Sequence, residues 1–419
     1  MSADPRPTPA AALDAGRLRA VTRVADLDPL DPPPGSAPTA FVSPRRALWG
    51  TGTALRIEVP APWVDHVGVV DEALRAIDDE DEVRTPGSGP VAFGALPFDR
   101  TAAATLVVPR VVHGRTAEGT LWRTEIGAAD AGPAVEPPVT ALGPDDLGPI
   151  TVRSVRTPTE FCDAVVAATE RIAAGGLTKV VLARELLVEL GHPVDVAALL
   201  AQLRALHPTA MSFAIDGFVG ASPELLVSRV GEVVRAQPMA GTAARTGDPE
   251  ADHRRASELL GSNKNRVEHQ ITIDMVHDTL LPFCSYLDAE PSPSVVAAGP
   301  VQHLATMVEG RLSRPTPPVL DLVAALHPTP AVGGWPRDAA LAAIAEFEGS
   351  DRGRYAGPVG WTDAGGNGAF AVGIRSVELD GTTARLFAGV GVVADSDPVA
   401  ELEETRAKAR SLLGALVRV

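Results

Sequence analysis

The stretch LFAGVGVVADSDPVAELEETRAKARSLLGALVRV, Leu386 to Val419, reads as an apolar strand, a turn and a capped helix. Asp397 is placed to cap the helix and Pro398 suits its first turn, because a cap oxygen satisfies orphan N–H groups and proline has none to satisfy there. Leu402, Thr405, Ala409, Leu412 and Leu416 recur at three- and four-residue steps, which predicts a buried face. Glu401, Glu404 and Lys408 run beside it at i, i+3 and i+7, so they share one side of the helix. Two readings of this stripe are open. Charges in line on a helix usually face water, whereas two carboxylates held together offer the hard oxygen ligands that Mg2+ takes. The helix alone does not choose between them.

Upstream, Thr157, Pro158 and Glu160 make a capping-box start, and Phe161, Val165, Ala168 and Ile172 predict a helix ending at Gly175-Gly176. The next run, Thr178 to Arg184, is a short strand whose alternation puts Lys179, Val181 and Ala183 on one face. A lysine on so apolar a strand is either an edge charge that blocks aggregation or a partly desolvated base. Glu224 follows Ser222-Pro223 at the entry to another apolar strand. It reads as a solvated strand-end carboxylate or as a buried carboxyl that keeps its proton and serves as an acid. Between Pro249 and Leu281 two helices are expected, the second opening near Ser262 with Val267, Ile271, Met275 and Leu280 facing inward. Glu268-His269 lacks the second histidine of a zinc helix, and neither Cys162 nor Cys284 has ligand spacing. Residues 326–334 form a shaped Pro/Gly loop. Residues 351–376 form a hairpin through Ala364–Gly368, with Tyr355 before it and Arg375 at its far end.

The whole chain has 419 residues, 45% hydrophobic and 21% charged, with a net charge of −16. That composition describes a globular protein, and the charge argues against nucleic acid or an anionic membrane as partner. An anionic small substrate would need a local cluster of cations or metal. Two cysteines give no disulfide framework, the N-terminus lacks a signal-peptide pattern, and no apolar run is long enough to span a membrane, so a cytoplasmic protein is expected. Residues 1–35 are rich in Pro and Ala and predict a flexible start. Residues 36–150 show short strand-like runs (LRIEV, PVAFGAL, ATLVVPRVV), a helical stretch from Trp63 to Ile77 and no chemical motif, and close with a Pro/Gly-rich connector over 129–150. The catalytic half is expected within 151–419.

Ten blocks in order, TKVVLAR, SPELLVS, PMAGTAAR, SNKNRVEH, HLAT, LHPTPAVGG, DRGRYAGPVGW, AVGIRS, AGVGVV and ELEETRAK, resemble the chorismate-utilising enzymes and, within them, the isochorismate synthases. The resemblance is strong from residue 151 on and weak before it. It implies an α+β fold, a single large domain over 36–419 with a two-sheet β core flanked by helices. It also implies allylic substitution: water adds at C2 of chorismate as the C4 hydroxyl leaves, feeding menaquinone or siderophore synthesis, from a monomer or homodimer.

Carried over by position, the resemblance makes Lys179 the base that takes a proton from water and Glu224 the acid that protonates the departing hydroxyl. Glu268 and Glu404 would hold Mg2+ under the ring carboxylate, with Glu401 acting through water. Tyr355, Arg375 and the N–H of Gly391 would meet the enolpyruvyl carboxylate, since arginine offers a flat fork and glycine lets backbone approach. Lys408, His303, Gly241, Thr242 and Ala331 complete the substrate contacts. Ala240 stands where relatives with covalent chemistry carry an attacking lysine, and Ala331 where ammonia-using and salicylate-forming relatives tend to carry threonine. With water as nucleophile no amidotransferase subunit is implied. Departures are Lys264-Asn265, where the family has Lys-Asp, and Ala369, where it has an acid. A salicylate synthase, which adds pyruvate elimination, and a non-catalytic chorismate-binding relative are the alternatives.

Overall fold

A computed structural model describes residues 15–30, 38–128, 150–299 and 301–417. The architecture is α+β, as expected. Among the described residues there is a 13-stranded sheet, a nine-stranded sheet and a separate three-stranded sheet of Met239–Ala244, Val301–Ala305 and Ser294–Ala298. The small sheet is an addition to the expected two-sheet core.

The two large sheets stack face to face. Phe41, Leu48, Phe213 and Phe218 from one meet Phe93, Val359, Trp361 and Ala371 from the other in one buried cluster. Sheets pack this way when alternate side chains of both inner faces can interdigitate. Helices cover the outer faces. The closing helix, Pro398–Leu416, buries Ala409, Leu412, Ala415 and Leu416 against Val188, Val377 and Leu386 of the 13-stranded sheet. Its predicted face is the observed one, and Asp397 caps it by accepting from Ala400 N–H at 2.8 Å. The capping box at Thr157 is also present and opens the helix Pro158–Ala173.

Both halves of the chain contribute strands to both large sheets. Thr39–Ser43 pairs with Met211–Ile215, and Val91–Ala95 pairs with Pro358–Asp363. The helical stretch expected from Trp63 is two helices, Trp63–His66 and Gly68–Ala76. The N-terminal half also clamps the 326–334 loop. His327 Nε2 meets Phe98 O at 2.9 Å, and Arg100 donates to the carbonyls of Ala324 and His327.

Two expectations are corrected. The flexible start does not extend through residue 35, because Leu18–Val24 is a strand paired antiparallel with Leu121–Ala128 and parallel with Asp78–Asp81. Ala20 and Thr22 are fully buried there, and composition averaged over 35 residues hid that alternation. The rest of the expected flexible start (1–14, 31–35) and most of the 129–150 connector lie outside the described residues. In the helix Asn263–Leu280 Met275 and Leu280 are buried as expected, but they share the inward side with His269, Thr272 and Val276, while Val267 is 53% exposed and Ile271 only half-buried. Polar residues hold the inward face because they find partners there: His269 Nε2 lies 2.8 Å from Thr306 Oγ1. No helix among the described residues is long and apolar enough to cross a membrane.

Candidate active site

Lys179 opens the strand Lys179–Glu189, which pairs along its length with Thr383–Val392. It is 4% exposed, and its Nζ lies 2.6 Å from Glu268 Oε1. The edge-charge reading fails, since the strand has neighbours on both sides. Gly391 faces this ion pair: a Cβ there would lie 2.8 Å from Lys179 Cε and 3.3 Å from Glu268 Oε1. Only glycine leaves that space open.

Glu224 sits where the chain leaves the 13-stranded sheet at Phe218–Ser222 for the nine-stranded sheet at Leu225–Val230. Its own N–H is taken by Ser222 Oγ at 3.2 Å, and the residue is 3% exposed. Burial pushes its carboxyl up to about 8, against the opposing pull of a Met239 backbone N–H and the charge of Lys179. The carboxyl is therefore protonated at neutral pH, as an acid must be.

Arg375 lies on the return crossing, between Gly368–Val372 of the nine-stranded sheet and Ser376–Asp380 of the other. Its backbone is left-handed, φ 54°, and its guanidinium is buried with Nη1 unmatched by any hydrogen-bond acceptor among the described residues. Burial lowers its pKa. A buried guanidinium nitrogen without a partner is costly, and an incoming carboxylate would satisfy it. Tyr355 stands beside it, stacked on Phe387 at 5.1 Å and 16°, its hydroxyl pKa raised by burial.

The small sheet supplies the far wall. His303 Nδ1 is 3.1 Å from Gly241 O and 3.2 Å from Thr242 Oγ1. Burial pushes the His303 pKa down to about 3, so the ring is neutral. With a carbonyl as partner Nδ1 carries the proton, which leaves Nε2 as an acceptor. From the closing helix, Lys408 Nζ donates to Gly389 O at 2.9 Å and pairs with Glu404 Oε1 at 2.6 Å.

Lys179, Glu224, Glu268, His303, Tyr355, Arg375, Gly391, Glu404 and Lys408 line one cleft with Gly241 and Thr242, joined by Ala331 from the 326–334 loop. Glu401 lies one turn earlier on the closing helix and is not among the lining residues. The stripe thus divides: Glu404 and Lys408 face the cleft, and the solvated-stripe reading does not describe them. The two carboxylates assigned to a metal are each paired with a lysine; the i, i+4 spacing of the stripe allows for Glu404 with Lys408, whereas sequence reasoning did not anticipate Glu268 with Lys179. It also missed Glu348 and Arg352, two buried charges behind the lysine strand, and Gly389, where a Cβ would meet Tyr355 Oη at 2.9 Å. The AGVGVV block signalled both glycines, but nothing local distinguished Arg352 from its neighbouring surface charges.

The geometry suits acid–base chemistry on a small anionic molecule. Residues 143–417 match the family model described as chorismate binding enzyme, and the chain belongs to that family. Isochorismate synthase DhbC of Bacillus subtilis is 38% identical over 360 residues, covering 83% of this chain and 85% of its own length. Isochorismate synthase MenF of the same organism is 37% identical over 365 residues, covering 81% and 77%. The solved structure of MenF, the menaquinone-specific isochorismate synthase from Escherichia coli, superimposes with a TM-score of 0.80 at 25% identity and covers 95% of this chain and 94% of that one.

Proposed function

We propose that this protein is an isochorismate synthase that converts chorismate to isochorismate. The observation that carries the reading is the presence, within one cleft, of a buried carboxyl that is protonated at neutral pH and a buried lysine from another strand. Lys179 takes a proton from the water that adds at C2, and Glu224 gives one to the hydroxyl leaving C4. One water enters and one leaves, so the atoms balance without a covalent intermediate. Arg375 and Tyr355 hold the enolpyruvyl carboxylate, the unmatched Nη1 being the group that such an anion completes. His303 offers Nε2 as acceptor to a substrate hydroxyl. Fixing both carboxylates of the substrate brings the reacting carbons to Lys179 and Glu224 in one orientation, which is where much of the barrier is removed.

The donor set fits Mg2+. Glu268 and Glu404 offer only hard oxygens, and Mg2+ takes one or two carboxylates together with substrate oxygens and retained waters. Charge argues the same way: with Lys179 serving as proton acceptor and not as a cation, Arg375 and Lys408 oppose Glu268 and Glu404, which leaves no net positive charge for a substrate that is a dianion. When bound, the ion would neutralise the ring carboxylate, with Glu401 reaching it through water. Glu404→Ala is expected to abolish the Mg2+ requirement together with activity, and to lack the heat of Mg2+ binding that the wild type is expected to give by calorimetry in the presence of product. Unchanged binding heat would take Glu404 out of the metal site.

Incubating the purified protein with chorismate and Mg2+ and separating the products tests the function directly. Isochorismate is expected to accumulate to equilibrium with chorismate. Salicylate with equimolar pyruvate would instead assign the salicylate synthase reading, and no conversion at all the non-catalytic one.

A further inference from the structure

Behind the cleft, on the side away from the substrate, lies an ion pair that the reaction itself does not use. Glu348 and Arg352 are 4% and 2% exposed and meet at 2.5 Å and 2.9 Å through Nη2 and Nε, one edge of the guanidinium. A buried pair of this kind contributes little net stability over an apolar replacement, because desolvation offsets attraction. Its remaining hydrogen bonds are therefore informative. Arg352 Nη2 donates to Val181 O at 2.7 Å, and Arg352 Nη1 donates to Val332 O at 2.9 Å. Glu348 Oε1 accepts from Ala183 N–H at 2.7 Å. Arg352 O accepts from Tyr355 N–H at 3.0 Å.

Three of those partners, Val181, Val332 and Tyr355, are backbone groups of residues that line the cleft. Val181 is two residues from Lys179 on the same face of its strand, Val332 adjoins Ala331, and both line the cleft together with Tyr355. We propose that Arg352, held by Glu348, is a positioning residue that sets the lysine strand, the 326–334 loop and Tyr355 at fixed spacing from one another. Arginine suits the task because its planar fork presents donors in rigid directions, two of which are used here on two different segments. From the opposite side the Phe98 ring covers the guanidinium, with Cζ 4.3 Å from the ring centroid, and Phe98 N–H donates to Gly353 O at 2.9 Å. The motif-free half of the chain thereby reaches the back of the site at Arg352 as well as at the 326–334 loop.

This inference rests on the acid–base reading above, and its test separates the two. Arg352→Lys keeps the charge and most of the hydrocarbon stem but loses the fork, so its one ammonium cannot hold both carbonyls in their present directions. With the full-length protein, kcat is expected to fall by about 10²-fold, the effect of displacing reacting groups by roughly an ångström, while KM for chorismate stays within about threefold. Arg352→Met should lose as much or more. If it fails to fold, Arg352→Lys carries the test. The loss must occur in protein whose circular dichroism and melting are those of the wild type. A wild-type kcat in Arg352→Lys, or a loss that merely follows the unfolded fraction, overturns the positioning role. Were the wild type to form another product from chorismate, the same comparison would be made on that product, so the two readings fail separately.

Discussion

Lys179→Ala is expected to lower kcat by about 10³-fold, within the range that a positioned proton acceptor contributes. The side chain is nearly fully buried, its nitrogen is fixed by Glu268, and no other amine stands on the same strand face. Two results separate a lost base from a damaged site. The dissociation constant for isochorismate, measured by equilibrium binding, should change by less than about tenfold, since Arg375, Tyr355 and Lys408 remain. A small primary amine such as ethylamine should restore part of the rate, because the truncated side chain leaves room beside Gly391 for an amine to replace it. Full turnover by Lys179→Ala would remove it from the base role.

Glu224→Gln should cost about 10²- to 10³-fold in kcat, because the amide keeps the shape of the carboxylic acid but has no proton to give to the leaving hydroxyl. The same residue fixes the alkaline side of the pH profile. Burial places its carboxyl at about 8, so the acid form is lost as pH rises through that value, and wild-type kcat/KM should fall there. Stability carries the matching sign. The folded pKa lies above the ordinary value of 4.5, so between the two the folded state holds a proton that the unfolded chain has released. Wild-type stability attributable to Glu224 therefore declines from about pH 4.5 to about 8 and is level beyond. Glu224→Gln should be level throughout, so its melting temperature should gain on the wild type across that window. A constant difference between the two proteins from pH 5 to 8 would contradict the burial argument.

How much was legible in the sequence varied with the range of the forces involved. The closing helix, the capping box at Thr157 and the strand at Lys179 follow from spacing and cap chemistry, which are local. Glu224 was marked by its neighbours Ser222 and Pro223, yet its burial depends on a change of sheet that no local pattern records. Glu268, Arg375 and Tyr355 could be assigned only through ordered blocks resembling a known family. The lysine partner of Glu268 was invisible for a similar reason, since it comes from a distant strand, whereas that of Glu404 follows from i, i+4 spacing on the stripe. Val267 misled because apolar spacing selects the inward face of a helix only where apolar neighbours wait for it. Here Thr306 awaited His269 instead. Arg352 shows the remaining gap: within DRGRYAG it resembles Arg354, which reaches Glu378 at 2.6 Å in a half-buried pair, and only the fold sends one of the two inward.

The two crossings between the large sheets have a further consequence. Glu224 and Arg375 each sit on a connection of a few residues that joins one sheet to the other, so their separation follows the thickness of the layer formed by Phe93, Phe213, Phe218 and Trp361. A substitution in that layer that the fold survives would still move the acid relative to the substrate's anchor. Sequence drift in the interior of such an enzyme is therefore filtered twice, once by whether the chain folds and again, more finely, by whether turnover persists.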